Sequence, residues 1–189
     1  MNQKTKKSFS KSRRLIIENS KSRITLRPIR ISDVTKEYVK WLNSKKINQY
    51  LESRFVHHTS NNVKKFIENT LTDKNVYFFA IICKEDGKHI GNIKLGPINI
   101  IHKIGEIGIL IGNQNSWGQG YATEAIDLLS YFAQNKLKLH KIIAHSYENN
   151  IGSVKAFLKA GFVKEGIRKK HLRFKNNYVS LILLGKILR

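Results

Sequence analysis

The sequence has 189 residues, 41% hydrophobic and 25% charged, which suffices for one domain with a packed core and excludes disorder along the whole length. Thirty-five basic against 13 acidic residues give a net charge of +22, so the chain attracts anions, and nucleic acid, phospholipid and a polyphosphorylated cofactor all remain open. No apolar window of about 18 residues occurs and Leu15 to Ile17 is too short for a secretory signal, so no membrane span is expected and the protein is read as cytoplasmic.

In chain order, residues 1–23 carry eight basic residues against one acid, Glu18, and read as a basic tail before a single domain at 24–189. Ile24 to Arg30 alternates apolar and polar residues as a half-buried strand does, and Pro28 assigns it to an edge or a bulge. Ser32 and Asp33 supply an N-cap signal for a helix over Val34 to Asn43, with Val34, Tyr38 and Trp41 at helical spacing. The aperiodic stretch Ile47 to Ser60 reads as a loop, long enough to be a candidate for function. A second helix is expected over Asn61 to Leu71, with Val63, Phe66, Ile67 and Leu71 on one face.

Three strand-like runs follow, Val76 to Cys83, His89 to Leu95 and Gly105 to Ile111, separated by turn signals in the manner of an antiparallel meander. Gly120 to Leu137 reads as a long helix, Lys141 to Tyr147 as a strand, and Ser153 to Ala160 as a short helix closed by Gly161. Phe162 to Arg168 and Tyr178 to Ile187 complete a terminal hairpin. This order predicts one α/β or α+β domain around a mixed sheet. Cys83 is the only cysteine, which excludes an intrachain disulfide and a cysteine-rich zinc site. His57-His58 and His140/His145 lack the HExxH spacing, so no metal is expected.

The chemistry concentrates in Glu106 to Ala125, EIGILIGNQNSWGQGYATEA, where a buried strand runs through a glycine-bearing turn into a helix. Gly118 and Gly120 let backbone amides turn toward a ligand, and the helix N-terminus adds about half a positive charge, so a phosphate suits the turn. The turn is neither a Walker A loop nor a GxGxxG fingerprint, since Thr123 stands where the third glycine would be.

Two motifs in this order resemble the GNAT superfamily of N-acetyltransferases. The family's [QR]xxGx[GA] loop maps onto Trp117-Gly118-Gln119-Gly120-Tyr121-Ala122, with Trp117 replacing the polar first residue, and NNIGSVKAFLKAGFVKEG (149–166) resembles its NxxSxxxxxxxGFxxEG stretch through Asn150, Ser153, Gly161, Phe162, Glu165 and Gly166. WGxGYATEA is similar to the branch that acetylates ribosomal-protein N-termini and to sugar-amine acetyltransferases. The resemblance covers about residues 24 to 188 and implies the GNAT fold: a mixed, mostly antiparallel sheet of six or seven strands, splayed at the cofactor site and flanked by about four helices.

It further implies acetyl-CoA as cosubstrate and no metal. The pantetheine would pair with Ile109, Leu110 and Ile111, the pyrophosphate would rest on the amides of Trp117 to Ala122, and Thr123, Asn150 and Phe157 would also contact the cofactor. An alkyl amine with a pKa near 10 must lose a proton before it attacks a thioester. At Glu106, eleven residues before Trp117, the family implies a general base; Glu52 and Glu148 are the competitors. Phe157 stands where many members carry a tyrosine acid, which puts that acid in doubt and leaves Ser153 as a donor to the sulfur, or as a helix cap. Trp41, Tyr50 and Glu52 are expected to line the acceptor pocket.

The expected acceptor is a small-molecule amine, with a nucleotide-linked amino sugar ahead of a protein N-terminus of the ribosomal-protein alanine type. A basic RNA- or ribosome-associated module without turnover is the reading from another class. Nucleic acid is not required, though the charge would give weak attraction to RNA or the ribosome. The expected state is a monomer or homodimer.

Overall fold

In the computed structural model, residues 15–189 are described, so residues 1–14 of the expected tail lie outside the described residues. Seven strands form one sheet in the order β1-β2-β3-β4-β5-β7-β6. They are β1 (Ile24–Pro28), β2 (Tyr77–Cys83), β3 (His89–Asn99), β4 (Ile104–Ile111), β5 (Lys141–Tyr147), β6 (Val163–Phe174) and β7 (Asn177–Ile187). Every adjacent pair is antiparallel except β4 with β5. Five α-helices accompany them: α1 (Lys36–Asn43), α2 (Lys45–Asn48), α3 (Ser60–Thr72), α4 (Tyr121–Asn135) and α5 (Ile151–Lys159). The mixed, mostly antiparallel α/β architecture is the one the sequence predicts.

Alternation along β2 shows how the sheet acquires two cores. Phe79 and Ile81 point to one face with Leu26, Ile93, Leu95, Ile107 and Ile142, beneath Ile126 and Leu129 of α4 and Phe157 of α5. Ala80 points to the other face with Ile29, Tyr38, Trp41, Val63 and Ile67, covered by α1 and α3. Each sheet face thus meets an apolar helix stripe.

Several boundaries differ from expectation for local reasons. Thr35 caps α1, its hydroxyl accepting from the Tyr38 amide. Asp33 instead accepts both terminal nitrogens of Arg27 at 2.7 Å and the Arg30 amide at 2.7 Å. Burial pushes that carboxyl up, but these donors outweigh it and hold it below the usual carboxylate range. The expected loop from Ile47 to Ser60 begins inside α2 and holds a 3-10 turn at Glu52–Phe55. Within the expected tail, Ile17 is buried and exchanges two 2.9 Å main-chain hydrogen bonds with Leu26, and Leu15 packs on the main core. Among the described residues, no helix is long and apolar enough to cross a membrane.

Candidate active site

The site begins as a seam in the sheet. β4 pairs with β3 along most of its length but with β5 only through Ile104↔Lys141, Gly105↔Ile142 and Glu106↔Ile143. β5 stays on β7 as far as Tyr147↔Leu181. Each strand therefore keeps its outer partner while the seam opens past Glu106. Alternation decides which main-chain groups face the opening. The Gly112 amide bonds back to Ile90 of β3, so Ile109 and Ile111 turn their groups to the free edge. The Leu110 carbonyl lies against Gly91 on the β3 side, which removes the Leu110 main chain from that edge. The Ile111 carbonyl accepts the Trp117 indole N–H at 2.8 Å.

The free edge runs into the turn before α4. Gly118 has φ +74° and Gly120 φ +89°, a conformation that side chains resist, and Gly120 is the N-cap residue with no side-chain cap. The Trp117 amide donates to Gln114 at 3.1 Å and so is consumed by the turn, contrary to expectation. Among the described residues, the amides of Gly118, Gln119, Gly120, Tyr121, Ala122 and Thr123 have no hydrogen-bond partner. Six free N–H groups at the positive end of a 15-residue helix make an anion cradle. Arg23 braces it, donating from Nη2 to the Gln119 carbonyl at 2.7 Å and from Nε to Glu124 at 2.7 Å, with its guanidinium over the Tyr121 ring.

On the face of the seam away from α4, Glu106 accepts from His145 Nδ1 at 3.0 Å. Two residues along β5, the Tyr147 hydroxyl donates to Glu52 at 2.5 Å, and Arg54 lies over the Tyr147 ring. Burial, then the bond to Glu52, raise the Tyr147 pKa above that of an ordinary phenol. Tyr50 donates to the Asn149 carbonyl at 3.1 Å and stacks on Phe174, centroids 5.3 Å apart. Arg54 and Phe174 also line a cavity of about 510 Å3 with Asn43, Lys45, Gln49 and Lys175. Three of these residues are cationic, and the lining contains no carboxylate.

Glu106, Tyr50 and Glu52 thus stand along one path from the seam to the cavity, while other expected residues sit elsewhere. Trp41 is 3% exposed, donates to Glu37 at 2.9 Å and fills the space a side chain at Gly112 would need, so it supports the end of β4 and does not line the cavity. Phe157 is 2% exposed against Phe162 in the main core. Asn150 caps α5 by accepting from the Ser153 amide at 3.3 Å, and Ser153 is half-buried in that first turn. Glu148 accepts the Ser180 amide at 2.5 Å and ties β5 to β7.

Four residues of the site escaped the sequence reading. His145 and Tyr147 share a strand face, a period-2 signal visible in HSY. Arg23 and Arg54 gave none, because their contacts span 96 and 119 residues. Among the described residues, no group of three His, Cys, Asp or Glu could hold a metal.

Known proteins share parts of this sequence and its fold. The chain is 36% identical over 100 residues to the probable N-acetyltransferase YjcK of Bacillus subtilis, covering 51% of this chain and 54% of that protein. It is 30% identical over 111 residues to the uncharacterized N-acetyltransferase p20 of Bacillus licheniformis, covering 59% and 62%. The chain thus spans between about half and two thirds of the curated relatives it matches. The spermidine N-acetyltransferase of Vibrio cholerae, solved with CoA and spermine, has the same fold at TM-score 0.79, with 23% identity over 88% of this chain and 96% of that one. A GNAT-family acetyltransferase from Bacillus anthracis superposes at 0.78, with 21% identity over 92% and 98%. The profile described as Acetyltransferase (GNAT) domain matches residues 23–163, three quarters of the sequence and both sides of the seam, and the chain belongs to that family.

Proposed function

We propose that this protein transfers an acetyl group from acetyl-CoA to a primary amine by direct attack. The observation that carries the reading is the free β4 edge leading into six unpartnered amides at the head of α4. A pantetheine carries amides that suit the main-chain groups of Ile109 and Ile111, and a pyrophosphate suits the amides from Gly118 to Thr123. When bound, acetyl-CoA supplies a thioester whose C–S bond breaks as the new N–C bond forms. The nitrogen gives up two protons on becoming the amide, one before attack that passes to solvent and one after it that the leaving thiolate takes, and no oxidant or reductant is needed. The chain's own tasks are then to hold the cofactor, accept a proton from the incoming ammonium and orient the amine. Glu106 and His145 stand at the mouth of the seam for the second task.

The acceptor we favour is an amine on a phosphate-bearing small molecule, such as a nucleotide-linked amino sugar. Lys45, Arg54 and Lys175 around a carboxylate-free cavity support it, and the stacked Tyr50 and Phe174 rings beside it suit a sugar or base. The polyamine of the Vibrio cholerae complex would meet the three cations of the lining, of which Arg54 is paired with Glu52 at 3.5 Å. The test is release of CoA thiol with UDP- or dTDP-linked amino sugars, spermidine, and peptides beginning with Ala or Ser. A nucleotide-sugar kcat/KM at least tenfold above the others is expected, about 1.4 kcal/mol of transition-state binding. A tenfold preference for peptides overturns the acceptor assignment in favour of N-terminal acetylation.

A further inference from the structure

We infer that His145 takes the proton from the acceptor ammonium, and that Glu106 is a positioning residue which orients the imidazole and balances its charge. This rests on the transferase reading and assigns its proton acceptor to a residue outside the family motifs.

The hydrogen bond fixes the tautomer. A carboxylate only accepts, so the 3.0 Å contact between Glu106 Oε1 and His145 Nδ1 places the proton on Nδ1. The lone pair of the neutral ring then lies on Nε2, the nitrogen with no protein partner among the described residues. Glu106 Oε1 is thereby engaged. Imidazole is also the side chain best matched to proton transfer near neutral pH.

The strand register fixes the place. Glu106↔Ile143 is the last rung between β4 and β5, and the next residue on the same face of β5 is His145. On β4 the next residue on that face is Gly108, past the point where the seam opens. A Cβ at Gly108 would meet no atom within 4 Å, so this face of β4 is open beside the Glu106–His145 pair. Glu106 flanks this gap on β4, Tyr147 continues the face toward Glu52 and Arg54, and the β7 neighbour of His145 is the apolar Leu183. The arrangement is a carboxylate, an imidazole and an open volume in line, at the point where the sheet parts.

The step balances simply. His145 Nε2 accepts one proton from R–NH3+, leaving R–NH2 with a free pair and an imidazolium beside Glu106. His145 is about one third exposed, so the imidazolium can return that proton to solvent.

The experiment compares His145→Ala, His145→Gln, Glu106→Gln and the Glu106→Gln/His145→Ala double variant, measuring kcat with the best amine found, acetyl-CoA affinity, and the response to added imidazole. We expect His145→Ala and His145→Gln to lower kcat by about 10² to 10³, with cofactor affinity within twofold. Imidazole should restore about tenfold to the alanine variant and nothing to the glutamine variant, whose side chain fills the site. Glu106→Gln, which keeps an acceptor for Nδ1–H, should lose only about tenfold, and the double variant should be no worse than His145→Ala. An active wild type whose His145 variants stay within threefold, or whose Glu106→Gln is the more damaged with no rescue, overturns this inference alone. A wild type that binds acetyl-CoA and acetylates no amine overturns the transferase reading together with it.

Discussion

The two sides of the seam are built from different material. On the α4 side, the cradle consists of main-chain amides from six consecutive residues and the free edge of β4. On the other side, the cavity and the Glu106–His145 and Tyr147–Glu52 pairs consist of side chains drawn from the segment after α1, from β4 and β5 and from the tip of the β6–β7 hairpin. A main-chain site depends on local conformation and tolerates most side chains outward. A side-chain site depends on tertiary convergence and changes its selectivity with each substitution. One scaffold can therefore keep one cofactor while its acceptor varies.

The sharpest way to break this contrast is Gly120→Val. At φ +89° a β-branched residue costs about 1 to 3 kcal/mol, which the turn can relieve only by moving the amides. Acetyl-CoA affinity should fall by about 100-fold or more in calorimetry, while the circular dichroism spectrum is kept. Gly87→Val is the control: φ is +68° and a Cβ there meets nothing within 4 Å, so the same strain arises in the β2–β3 turn. Equal cofactor affinity in the two variants would show that the cradle does not hold the pyrophosphate.

Gly108→Val tests the other side with nearly as large an effect. A Cβ there would meet no protein atom within 4 Å, on the face of β4 that carries Glu106. Folding should be unchanged and acetyl-CoA affinity should stay within threefold, while kcat drops by about 10² because the reacting amine is displaced. A loss of cofactor affinity in place of kcat would place the acetyl group elsewhere.

Lys45→Gln/Lys175→Gln should act on KM alone. Both lysines line the cavity, whereas Arg54 also donates to the Leu51 and Arg173 carbonyls and its removal would disturb the wall itself. For a diphosphate-bearing acceptor we expect KM to rise about tenfold with kcat nearly constant, and the wild-type KM to climb with ionic strength more steeply than that of the double variant. Parallel salt dependence in the two proteins would remove the cavity from acceptor binding.

These differences explain how much the sequence disclosed. The cradle was legible because its requirement is local: two glycines two residues apart before an amphipathic run leave few conformations. The strand over Val76 to Cys83 was legible too, and the structure sets its Phe79 and Ile81 on one face and Ala80 on the other. The three residues assigned to the free edge were one too many, because only the register with β3 shows that the Leu110 carbonyl points away. Trp41 has the size and polarity of a pocket residue, yet it packs where Gly112 leaves room, a fit no spacing encodes. Arg23 was set aside with the basic tail, since its partners Gln119 and Glu124 come about a hundred residues later.

Phe157→Tyr carries the smallest expected effect and separates the two sides most finely, because this residue is where the family resemblance and the packing disagree. The resemblance sets it beside the leaving thiol, where a tyrosine hydroxyl would donate a proton. In this chain the ring is 2% exposed and meets Phe162 edge to face at 5.0 Å between centroids, among Ala156, Ala160 and the main core. A hydroxyl added there enters an apolar environment. If it finds no partner, the desolvation penalty is about 1 to 3 kcal/mol, which for a chain of this size lowers Tm by roughly 2 to 4 °C per kcal/mol. CoA thiol is acidic enough to leave as the thiolate near neutral pH, so no acid is required from this helix. We therefore expect a measurably lower Tm and a kcat within threefold of the wild type. A kcat increase of tenfold with Tm unchanged would mean that the ring opens toward the seam when acetyl-CoA binds, and that the cofactor side also relies on a side chain.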